Sequence, residues 1–211
     1  LCLMLKHKSC DATVFLFHLI SIMSDEEHII MKQLISSKSW VDSEFSVFDG
    51  SKQIFFHLQD CFNFHGYDAV GGVVLGFRLL QAAKRYLNNN QPFQRRQLSL
   101  YTAFPGLGAR DVFELITRMC SEKRFKLCEN HHHSDAEKGV AGSFYFEFAY
   151  QGRSVQLAPI KGAVSEDFIA TGKASKQPHA DNTTINRWMG LKIELANSLL
   201  IHSEKEVIRR L

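Results

Sequence analysis

A chain of 211 residues, 45% hydrophobic with only four prolines, has enough apolar material to build a core and is not a disordered protein. Its net charge of +3 is mild. Lysine and arginine are scattered apart from short groups at Lys84-Arg85, Arg95-Arg96 and Lys123-Arg124, which speaks against a nucleic-acid partner. Five cysteines (Cys2, Cys10, Cys61, Cys120, Cys128) without a CxxC spacing argue for free thiols in a reducing compartment rather than a disulfide framework.

Residues 1–22, LCLMLKHKSCDATVFLFHLISI, begin without methionine, and Met23 is followed by SDEE. Ser24 and Glu27 have the spacing of a helix capping box. The expectation is a non-native upstream extension over 1–22 and a single domain over 23–211. A secretory signal is disfavoured because no small-residue cleavage site follows the apolar run, which is itself too short to span a bilayer. No other segment approaches 18 apolar residues in a row, so a cytoplasmic protein with no membrane partner is expected.

The spacing next predicts a short amphipathic helix from Ser24 with Ile29, Ile30 and Leu34 near one face. DSEFSVFDGS reads as a loop, and KQIFFHLQDCFNF as a second helix ended by Gly66. A third helix is expected over about 71–87. Arg78, Gln81, Arg85 and Asn88 form its polar stripe, and Val74, Leu75, Leu79, Ala82 and Tyr86 supply core. The period then changes: QLSLYTAF alternates as a strand. PGLG breaks it, and ARDVFELITRMC resumes a helix with Val112, Leu115, Ile116 and Met119 inward. RFKLCE is a short strand. SFYFEFAY sends Phe144, Phe146, Phe148 and Tyr150 one way, and QG turns it into RSVQLAPI as a hairpin. A short helix near 165–171 and a long one capped near Asp181 follow. The long helix is expected to bury Ile185, Trp188, Met189, Ala196, Leu199 and Leu200. With this order (α-β-α-β-β-β, then helix) the fold class is α+β with a mixed sheet.

Several residues could carry chemistry. Gly66, Gly71, Gly72 and Gly76 invite a nucleotide reading, but a helix rather than a strand precedes them and no Gly-Lys-Ser/Thr follows. They read instead as helix punctuation and close packing, with room for an anion at a helix start. His57, Cys61 and His65 are spaced four apart, so a regular helix would put them on one face, where His and Cys donors suit zinc. The neighbouring phenylalanines would equally make that face core. His131, His132 and His133 read as a solvent-exposed loop. Asp111 and Glu114 lie one turn apart at a helix start, where the dipole favours carboxylates. Arg78 and Arg118 could bind an anion or belong to the surface. No Ser/His/Asp or Cys/His triad can be read.

The run FHGYDAVGGVVLGFR resembles the signature of the formylmethanofuran dehydrogenase E-subunit-like family, a His-Gly-His-x-Cys-Pro-Gly run leading into a Gly-aromatic-Arg helix. His65, Gly66, Gly71, Gly76, Phe77 and Arg78 fit with one inserted residue, while Tyr67 and Ala69-Val70 replace the second histidine and the Cys-Pro pair. A second family block falls on GARDVFELITRMCSEK, where Asp111 and Lys123 match. Gly108 and Met119 stand at its cysteine positions, with Cys120 one place off. The resemblance spans about 54–160, followed by a C-terminal helical part over 163–211. It implies a helix-strand-helix-three-strand fold similar to the catalytic domain of glyceraldehyde-phosphate dehydrogenase.

The resemblance thus points to a divergent family member with a pocket where residues 65–72 meet the 106–111 turn. His65 is expected to act as ligand or general base and Asp111 to orient it. Gly66, Tyr67, Gly71, Gly72, Arg78 and Lys123 would bind a ligand, and His65, Cys61 and Cys120 a metal, with zinc the candidate. The competing expectation is a non-catalytic homodimer built on the aromatic hairpin and the long terminal helix, with the pocket a relic.

Overall fold

The computed structural model describes residues 43–211. The expectations for 1–22, for the helix after Ser24, and for Cys2 and Cys10 lie outside the described residues.

The first two elements correct the sequence reading. Glu44–Asp49 is a strand (β1) rather than a loop, and Lys52–His57 is a second strand (β2) rather than the first half of a helix. They pair antiparallel around Gly50, whose φ of +66° suits glycine at the turn. Phe45 and Val47 alternate into the core while Ser46 stays at the half-buried face, a period of two hidden by the flanking Asp, Ser and Gly. Only Leu58–His65 is helical (α1). It starts where the His57 backbone N–H donates to Asp60 at 2.7 Å, and it ends at Gly66 with φ +93°, whose N–H donates to the Phe62 carbonyl.

The next helix, α2 (Val70–Asn88), follows the expected span and packs against more elements than any other among the described residues. Val74, Leu75, Leu79 and Ala82 are buried as expected. Tyr86 is only partly buried, and Arg78, assigned to the polar stripe, is interior at 9% exposure. A two-residue strand, β3 (Phe93–Gln94), runs parallel to β1 and completes a small sheet of order β2-β1-β3.

The second sheet contains the strands expected from the sequence. β4 (Ser99–Thr102), α3 (Leu107–Thr117), β5 (Phe125–Leu127), β6 (Phe146–Tyr150) and β7 (Arg153–Pro159) appear in the predicted order. Gln151 and Gly152, both at positive φ, make the β6–β7 turn. After α4 (Glu166–Ser175), α5 (Asn182–Ile201) and α6 (Glu204–Val207), β8 (Ile208–Arg210) adds a fifth strand, giving the order β5-β4-β6-β7-β8. β4 and β5 are parallel and the remaining neighbours antiparallel, so the sheet is mixed and the class is α+β.

The core forms where α2 and α3 cover this sheet. Phe113 of α3 meets Phe146 and Phe148 of β6 edge-on, at ring separations of 6.5 and 5.6 Å. Phe144, Phe146, Phe148 and Tyr150 are no more than 3% exposed, so the hairpin aromatics expected at a dimer interface are already buried within one chain. In the loop after β5, His132 is exposed as expected, while His131 and His133 are half-buried and pack on the Tyr145 ring at 4.5 and 5.4 Å. Along α5 the buried residues are Leu191, Leu195, Ala196, Leu199 and Leu200; Ile185 is exposed, and Trp188 and Met189 are half-buried. Among the described residues no helix is long and apolar enough to cross a membrane.

Candidate functional site

Close glycine packing sets the geometry of the site. A Cβ on Gly76 would stand 2.8 Å from the Ala109 Cα, and one on Gly108 would stand 2.9 Å from both the Ala69 carbonyl and the Val73 nitrogen. The helices α2 and α3 therefore touch backbone to backbone at their N-terminal ends. Gly71 faces the other way, with its missing Cβ 3.1 Å from the Lys192 carbonyl of α5. Gly71 and Gly76 are thus packing devices, as expected, and Gly108 joins them.

This crossing leaves a cavity of about 370 Å³. Its walls come from the α1–α2 joint (His65, Asp68, Gly71, Gly72), the β4–α3 turn (Phe104 to Gly108), the strand-leading loop (Val140, Phe144), α4 and α5. The expected meeting of residues 65–72 with the 106–111 turn is present. The wall from α4 and α5 has no counterpart among the sequence expectations. Phe168 and Trp188 pack there at 4.4 Å, and Lys176 and Lys192 join them. Gly172 makes that wall possible, since a Cβ there would overlap both Trp188 and Val140 at 2.6 Å.

His65 sits in the last turn of α1, and the Gly66 turn holds its side chain inside at 7% exposure. Its Nδ1 lies 2.8 Å from Asp111 Oδ2. A carboxylate there accepts from Nδ1–H, and in the neutral ring the lone pair is then on Nε2. Nε2 is buried and makes no hydrogen bond; Asp68 Oδ1 stands 3.2 Å away without hydrogen-bond geometry, and its own side chain is mostly in solvent. Sequence reasoning singles out both His65 and Asp111, and the structure brings them into direct contact.

Other expected ligand residues lie elsewhere. Arg78 donates from Nε and Nη2 to the Leu199 and Leu200 carbonyls at 3.0 and 3.1 Å, and from Nη1 to Gln81 at 2.9 Å. Its charge serves the C-terminal end of α5. Lys123 is exposed in the turn after α3, at φ +59°. Tyr67 is buried against Phe62 and receives a hydrogen bond from Gln59 at 2.8 Å. Gly66 shapes the turn beneath His65. Glu114 accepts from the Cys120 and Ser121 backbone N–H groups at 2.8 and 3.0 Å, which ties down the turn after α3.

The expected metal donors do not converge. His57 ends a strand, so the four-residue ladder through Cys61 to His65 breaks at its first rung. Cys61 is buried in the core, and Cys120 lines a second cavity with Phe64, Arg110 and Asp111. Zinc takes four donors in structural sites and three in catalytic ones. Among the described residues no three His, Cys, Asp or Glu side chains are grouped to hold an ion. Burial, with Asp60 adding to it, pushes the Cys61 thiol up to about 12; burial and then Glu114 push Cys120 up to about 11. Iodoacetamide at about pH 8 is therefore expected to leave Cys61 unmodified until the protein unfolds, because the thiolate is the nucleophile. Mass mapping of alkylated peptides checks this, and native-state labelling of Cys61 would contradict it.

No family model matches the chain, and no curated protein matches it significantly.

Proposed function

We propose that this chain is a divergent formylmethanofuran dehydrogenase E-subunit-like protein that binds a small molecule in the cavity beside His65. In this reading His65 Nε2 accepts a hydrogen bond or a proton from the ligand, and Asp111 orients the ring from its far side. The observation that carries it is one buried imidazole, anchored at Nδ1 by a carboxylate at 2.8 Å, with an Nε2 that makes no hydrogen bond in a cavity wall. With the two-residue strand β3 as an addition, the helix, strand, helix and three strands of residues 70–159 agree with the order that the family resemblance implies. A volume of about 370 Å³ is at the small end of ligand pockets, which suits a one- or two-ring molecule. The alternative, an interaction protein built on the hairpin, is less favoured because the aromatic side chains of β6 are spent inside the chain.

The test uses 2-naphthamide, a neutral two-ring compound with an N–H donor, in calorimetric titrations. Wild-type protein is expected to bind it one to one. His65→Ala should weaken that binding about tenfold, the equivalent of one hydrogen bond to a buried acceptor. Equal affinity in the two proteins would remove His65 from the site. Elemental analysis of both, purified without a histidine tag, decides the zinc question: stoichiometric zinc lost in His65→Ala would make the imidazole a metal ligand.

A further inference from the structure

Two features of the cavity wall have a common electrostatic sign. The first turns of α2 and α3 both line it, and neither helix has a side-chain cap or an acidic residue in that turn. Because Gly108 touches the backbone of the α2 first turn, these two positive ends lie side by side. The neighbouring His65 ring, nine-tenths buried, offers an Nε2 with no hydrogen bond to the same space.

The second feature stands on α5 and at the end of α4. Lys192 Nζ donates to the Asp68 carbonyl at 2.6 Å and touches the Met189 sulfur at 3.5 Å, neither of which carries charge. Burial pushes its ammonium down, Asp68 opposes this, and Lys176 adds repulsion. Two lysines that repel each other across one cavity gain from a negative charge between them. The opposing carboxylate, Asp68, has a side chain 79% exposed, so water weakens its field at the two lysines. The remaining walls are aromatic: Phe104 stacks on Phe144 at 5.0 Å, and Phe168 packs on Trp188.

We propose that the cavity selects an organic anion with a flat apolar body, an aromatic or similarly rigid acid. Its acidic end sits at the paired N-termini of α2 and α3 near Lys192, and its body lies between the Phe104–Phe144 and Phe168–Trp188 pairs. This rests on the pocket reading above and adds the charge class of the ligand. Carboxylate and phosphate heads share this chemistry, and each is a strong acceptor for backbone N–H groups at helix starts.

The experiment compares 2-naphthoate with 2-naphthamide, which share a ring system and differ in the charge of the head. Wild-type protein is expected to bind the acid at least about tenfold tighter than the amide. Lys192→Gln should reduce that preference several-fold, with the far-ultraviolet spectrum unchanged. 2-Naphthyl phosphate, run in parallel, ranks the two head groups. Equal affinity of acid and amide overturns the anion proposal and leaves the pocket reading standing, since the amide still reports on His65. A preference untouched in the double variant Lys176→Gln/Lys192→Gln also overturns it. Binding of none of the three compounds overturns both. The wild-type comparison needs no variant, so a misfolded substitution cannot obscure the answer.

Discussion

Arg78→Met is expected to lower the unfolding free energy by about 2–4 kcal/mol, the loss of two hydrogen bonds from a charged donor to buried carbonyls. Methionine retains most of the aliphatic stem, so the loss isolates the guanidinium rather than its packing. Burial works against the charge here and Glu204 supports it. The Leu199 and Leu200 carbonyls, at a helix end where intrahelical donors run out, would lose the guanidinium N–H groups. Urea unfolding at constant m-value measures the effect. Binding of 2-naphthamide by the folded fraction should be unchanged, because Arg78 does not line the cavity. A variant as stable as wild type but defective in binding would return Arg78 to the ligand site.

Gly76→Val comes next in size, at about 2–3 kcal/mol of destabilisation from overpacking. The sign matters more than the size. An alanine in place of glycine at an open helix position stabilises by up to about 1 kcal/mol. At Gly76 even Gly76→Ala should destabilise, because its Cβ would stand 2.8 Å from backbone that cannot rotate away. Gly190 in α5 is the control: a Cβ there meets nothing within 4 Å, so Gly190→Ala should stabilise. Denaturant melts of the three variants settle the matter, and a stabilising Gly76→Ala would mean that α2 and α3 separate freely.

The parts of the fold that are legible in the sequence are those whose burial follows one clean period. Val74, Leu79 and Ala82 mark α2 by helical spacing, and Phe146, Phe148 and Tyr150 mark β6 by alternation. The N-terminal hairpin is not legible for a local reason. In β2 Phe56 is buried and its neighbour Phe55 is half exposed, so the adjacent pair of phenylalanines imitates a helical face. Arg78 escapes a sequence reading because its polar end reaches carbonyls 121 and 122 residues away, a tertiary fact without local trace.

The candidate site divides the same way. His65 and Asp111 can be found because both lie beside glycine-rich helix starts, where sequence carries a recognisable mark. Lys192 is invisible: it reaches Asp68 across 124 positions, and within its own helix it looks like any solvated lysine. Trp188, expected in the core, is half-buried at the cavity wall. Cys61 and Cys120 are alike only in chemical type, and their separation in space reflects one thiol in the core and one in a surface turn.

The glycine seam between α2 and α3 also bears on how such a pocket could diversify. Backbone held against backbone fixes the position of the first-turn N–H groups without help from any side chain. Substitutions at Phe104, Val140, Phe168 or Trp188 can therefore reshape the cavity while the polar anchor stays where it is. Selection acting on this scaffold would meet two regimes: a rigid half in which a side chain at Gly76 or Gly108 costs stability, and a permissive half in which the cavity wall can change shape.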